Sequence, residues 1–150
     1  MNLAPRTIRH TRRSLVLLVL ANLALPPAMW WLRQGPHDEI AHANPGAPGG
    51  TITGAVQVAL IVAASYHLTF AALDVWLLRL LWLGRGQIAA TVVQVFALLL
   101  SLVSWWAASS EFTVAILLLD VAALAVLVNV WTPSGRVFFR AGTPRLPSAR

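Results

Sequence analysis

Asp120 stands near the middle of an apolar run from Phe112 to Trp131. A carboxylate in hydrocarbon costs several kcal/mol unless it is paired, protonated or hydrated, so such an acid marks a candidate functional site. Counted at roughly 1.5 Å per residue, it lies about 12 Å below the outer end of its run. Ser101 and Ser104, on the preceding run, fall at or above that level. Asn22, His67 and Gln94 fall roughly 6–8 Å deeper by the same count. The candidate intramembrane polar site is therefore Asp120, His67, Gln94, Asn22 and Ser101.

Two chemistries fit that group. In the first, His67, Gln94 and Asn22 hydrogen-bond one another as packing glue, each bond worth about 1 kcal/mol or less. In the second, Asp120 is protonated at rest, His67 titrates, and the group handles a proton or an ion. No arginine lies at the depth of Asp120. Its carboxyl is therefore expected to be neutral and to donate to Ser101, Gln94 or a partner chain.

The remaining reactive residues read more simply. Asp74 has Arg79 five residues on, which predicts an interfacial ion pair. Glu111 precedes an apolar run, where an acid favours a helix N-terminus. His37-Asp38-Glu39-Ile40-Ala41-His42 comes close to H-E-x-x-H, but Asp38 occupies the place of the first histidine. His37 and His42 are thus only a weak metal candidate, and the segment is expected to be a solvated polar loop.

Several chemistries are excluded. With no cysteine there is no disulfide, thiolate metal site or thiol catalysis. Haem b between two helices needs two intramembrane histidines, and only His67 qualifies. Ser101 and Ser104 lack a serine-protease motif, and no nucleotide-binding loop occurs. The expectation is a protein that is not an enzyme and carries no cofactor.

The elements that position these residues follow from hydropathy. The chain is 58% hydrophobic and only 11% charged over 150 residues, with a mean hydropathy of +0.72. A soluble domain is about one quarter charged. Four apolar runs, about 14–32, 52–78, 87–107 and 112–131, are each long enough to cross roughly 30 Å of hydrocarbon as a helix. The fold class is all-α: one integral membrane four-helix bundle over 1–150, with short loops and Arg-rich tails at 1–13 and 132–150. Segment 33–53, rich in Gly and Pro, is expected to be irregular. Pro26-Pro27 should kink or end the first helix about one turn early. Thr132-Pro133 reads as an N-cap and first-turn proline opening a short amphipathic turn. In that turn Val137, Phe138 and Phe139 would dip into the interface.

Eleven arginines supply all the lysine-plus-arginine charge, and ten fall on one side of these spans, with only Arg33 on the other. That split predicts cytoplasmic N- and C-termini in a bacterial plasma membrane. The tryptophans agree: Trp30, Trp31, Trp105 and Trp106 fall at outer helix ends, and Trp76, Trp82 and Trp131 at inner ones. Thr11-Arg12-Arg13-Ser14-Leu15 looks like a twin-arginine export signal, but no A-x-A site follows, so a retained anchor is expected. The arginines can meet anionic lipid headgroups, and their placement speaks against nucleic acid.

Ala55, Ala59, Ala63 and Ala71 recur at multiples of four with His67 between them, which predicts a close helix-packing face. The whole chain resembles the small, uncharacterised four-span membrane proteins common in GC-rich actinobacteria. The features that carry this are the Arg-rich start and the exit Trp131-Thr132-Pro133-Ser134-Gly135-Arg136-Val137-Phe138-Phe139-Arg140. The resemblance implies no activity. The function expected is that of an accessory or stabilising subunit, or an oligomerising scaffold, whose partners are the bilayer and other membrane subunits or copies of itself. The alternative is a small ion- or proton-coupled transporter or channel-like oligomer using Asp120 and His67.

Overall fold

An apolar run this long closes all its backbone hydrogen bonds within one segment only as a helix, and helices are what form. The computed structural model describes residues 5–107 and 112–142. Six helices follow in order: α1 Arg6–Trp31, α2 Gln34–Ala43, α3 Gly49–Trp82, α4 Gln87–Ala107, α5 Thr113–Trp131 and α6 Pro133–Gly142. α1, α3, α4 and α5 are long and apolar enough to cross a membrane. Only 17–22% of each span's most apolar window is buried within the chain. Helices apolar on their uncovered faces as well are those of a multi-pass membrane protein. Glu111, the Ala108–Glu111 connection, the Trp106 side chain, Arg145 and Arg150 lie outside the described residues.

α3 extends beyond the expected 52–78 at both ends, and three other stretches differ in kind from the sequence expectation. α1 begins at Arg6 and runs on through Pro26 and Pro27 to Trp31, so the prolines do not end it. Their missing N–H groups leave the Asn22 and Leu23 carbonyls without the usual i+4 donor. Residues 34–43, expected to be irregular, form α2. Pro36 is tolerated there because it is the third helical residue, where the N–H would have no intrahelical acceptor. The segment after Thr132 is a full helix, α6, with Thr132 Oγ1 accepting from the Gly135 N–H at 3.2 Å.

α1 packs between α3 and α5, and α5 packs on α4. α3 and α4 are joined by a tight turn and touch far less beyond it. That turn follows from its glycines. Gly84 at φ 68° ends α3, with Arg85 N–H donating to Leu80 O at 2.9 Å and Gly84 N–H to Leu81 O at 3.3 Å. These are the two bonds of a Schellman cap.

The close-packed core sits at the end carrying both termini. Ile8, Leu15 and Leu18 of α1 meet Leu77 and Leu81 of α3, Ala90 of α4, Val126 and Val130 of α5 and Phe139 of α6. Phe139 is thus a core residue at 6% exposure, and only Val137 of the three residues assigned to the interface is exposed. α6 comes that close because residue 135 is glycine. A Cβ there would lie 2.5 Å from the Asn129 carbonyl oxygen.

Within the chain, α3 does not pack through its alanine stripe. Ala55 and Ala59 are exposed, Ala63 is half-buried and Ala71 alone is buried. α3 packs instead through Ile52, Val56, Leu60, Phe70, Ala71, Asp74, Leu77 and Leu81.

Candidate functional site: a chamber in the helix bundle

Above the core the helices leave space between them, lined by small residues together with larger apolar ones such as Leu60, Phe70 and Leu100. α4 presents Gln94, Ala97, Ser101 and Ser104, α3 presents Ala59 and Ala63, and α5 presents Ala115 and Ala123. Large apolar side chains such as Ile61, Leu99, Leu102 and Leu118 face outward instead. The result is a cavity of about 570 Å³ that reaches from Pro36, Glu39 and Ile40 of α2 down to Asp74 and Gln94.

All five residues of the sequence-derived site line this chamber, but they do not form one network. His67 Nδ1 lies 2.8 Å from Asn22 Oδ1, which can only accept, so the imidazole N–H donates across from α3 to α1. Gln94 Nε2 donates to Asp74 Oδ1 at 2.8 Å, tying α4 to α3. The expected His67–Gln94–Asn22 layer is therefore two separate pairs. Asp120 does not bond Ser101 or Gln94. Its Oδ2 accepts from the indole N–H of Trp105 at 3.2 Å.

Asp74 is the residue that the sequence reading misplaced. It is 1% exposed and bonded to Gln94 inside the bundle, and it forms no ion pair with Arg79. Among the described residues the one ion-pair contact is His37 Nδ1 to Asp38 Oδ1 at 3.4 Å, which is a salt bridge only with His37 protonated. Asp74 belongs with the site.

Ser101 is 8% exposed, and its hydroxyl has no partner among the described residues. Ser65, Thr69, Thr91 and Ser104 each bond back to the carbonyl four residues earlier; Ser101 does not. Tyr66 and Phe70, with ring centroids 4.7 Å apart, form an aromatic wall on the α3 side.

His37 and His42 are five residues apart on α2, about 140° around the helix axis, so they do not share a face. No group of three or more metal-ligating side chains occurs among the described residues. Chemically, the chamber offers one buried and one part-buried hydrogen-bonded pair, an unpartnered hydroxyl and, with Asp74 of the buried pair counted, three carboxyl side chains in an apolar, aromatic setting. Comparison with models of known families, with curated proteins and with solved structures finds no match, so the functional reading rests on this geometry.

Proposed function

We propose that this is a non-enzymatic multi-pass membrane protein whose bundle holds a small amphipathic molecule, acting as a membrane-embedded carrier or receptor. The observation that carries the reading is the chamber. Its volume of about 570 Å³ falls within the roughly 300–1,000 Å³ of small-molecule sites. Ala97 lines the chamber and is half-buried, so Ala97→Phe fills space without cutting a hydrogen bond. Saturable binding of a fluorescent amphiphile in nanodiscs should fall at least tenfold in this variant, with helicity unchanged. Undiminished binding by folded Ala97→Phe protein would remove the reading.

A second reading, the accessory subunit or scaffold, draws on Ala55. It is left uncovered on α3 and outside the chamber, where a small residue permits close approach of another helix. Under that reading Ala55→Leu shifts the complex seen by native size-exclusion chromatography; an unchanged mass speaks for lipid on this face.

The ten-to-one arginine split supports a plasma-membrane orientation with both termini in the cytoplasm. Asn44→Cys should then react with an impermeant maleimide added outside intact cells. Reaction only after the cytoplasm is opened would reverse the orientation.

A further inference from the structure

We propose that the chamber selects a hydrophobic organic cation, with Asp74 and Asp120 as its anionic partners. The inference rests on the chamber's being a ligand site, and deepens it by naming the ligand's chemistry.

Charge is sorted in this chain. Of its five acids, Glu39, Asp74 and Asp120 line the chamber, and none of the nine arginines among the described residues does. The other titratable lining groups are Tyr66 and His67, and His67 has its Nδ1–H committed to Asn22. An anionic ligand would find carboxyls and no cation. A neutral, purely apolar ligand would add nothing to the single neutral donor that each aspartate has, and an ionised carboxylate in a low-dielectric space is costly without a counter-charge. A cation brings the missing counter-charge.

The geometry around each acid suits that role. Gln94 Nε2 holds one oxygen of Asp74 and Trp105 Nε1 holds one oxygen of Asp120. Both donors are neutral, so they orient the carboxyls without neutralising them. A carboxylate has about four acceptor sites, leaving capacity on each for a ligand N–H or an onium centre. Tyr66 and Phe70 place aromatic rings in the chamber lining, and aromatic quadrupoles attract an apolar cation. The Ser101 hydroxyl is a polar group inside the chamber with no protein partner. Asn22 and His67 pair with each other and do not compete for the acids.

The test compares a phenylalkyl trimethylammonium with its tert-butyl carbon isostere, which has the same shape and no charge. Binding is read by equilibrium dialysis against the full chain in nanodiscs of zwitterionic phosphatidylcholine, so that lipid charge does not concentrate the cation. The cation is expected to bind saturably and at least tenfold tighter than the isostere. Asp74→Asn with Asp120→Asn should weaken the cation roughly thirtyfold, the usual scale for losing a buried charge partner. The same variant should leave the isostere within about twofold. Asn keeps an oxygen to accept from Gln94 and Trp105, and retained isostere binding certifies the fold. Equal binding of both probes, unaffected by the double substitution, overturns cation selectivity while the chamber reading stands. Binding of neither probe to the wild-type chain overturns both. Loss of both probes together in the double variant shows the acids to be structural, and likewise overturns the proposal.

Discussion

Gln94→Leu is expected to destabilise the folded protein by about 1–3 kcal/mol, and by more than the double substitution Asp74→Leu/Gln94→Leu does. The order is the informative part. Asp74 and Gln94 are each 1% exposed and joined by a 2.8 Å bond. Removing the amide leaves a carboxyl buried without its donor, which incurs the desolvation cost with nothing to offset it. Removing both groups deletes that cost and leaves two leucines at an apolar helix contact, a change that can be nearly neutral. The singles and the double, measured by reversible unfolding in mixed micelles, form a double-mutant cycle. A double variant as unstable as the sum of the singles would show that the pair contributes through independent packing and not through its bond.

The same pair shows what was and was not legible in the sequence. The four spans were readable because apolar length alone determines them, and the site residues were readable because polar groups at that depth are few. The partners were not. Five residues separate Asp74 from Arg79, a rotation of about 140°, so the two cannot share a helix face. The faces that do matter were present as patterns. Asp74 stands three or four residues from Phe70, Ala71 and Leu77, all buried. Gln94 stands on the stripe of Ala90, Ala97 and Ser101.

The alanine stripe misled for the same geometric reason. Steps of four drift about 40° each, so Ala71 lies about 160° around from Ala55. One end of the stripe faces into the bundle and the other faces out. α2 was hidden by composition, since Gly35 and Pro36 signal a loop, yet proline is harmless in a first turn. The chamber itself is bounded by residues of five helices at once, which single-helix patterns do not display.

Arg12→Ala is expected to cost about 2–3 kcal/mol, and Arg12→Lys to recover less than half of it. Arg12 Nη2 donates to the Leu81 carbonyl at 3.1 Å, and its guanidinium carbon lies 3.9 Å over the Trp82 ring. Leu81 belongs to the last turn of α3, where its carbonyl, already capped by the Gly84 N–H, can accept a second donor and a cation meets the negative end of the helix dipole. One side chain thus fastens the start of α1 to the end of α3, beside the core residues Leu15, Leu77 and Leu81. Lysine keeps the charge, and with it the arginine-dependent orientation signal, but has neither the plane that stacks on indole nor the fork that reaches the carbonyl. Against this stands the Arg12 Nε, buried with no partner among the described residues, which costs about 1 kcal/mol and offsets part of the gain. Lysine lacks that donor, so the two variants separate the effects. Should Arg12→Lys match or exceed the wild-type chain in thermal unfolding within nanodiscs, charge alone would account for the contact, and the stacked, hydrogen-bonded geometry would contribute nothing to stability.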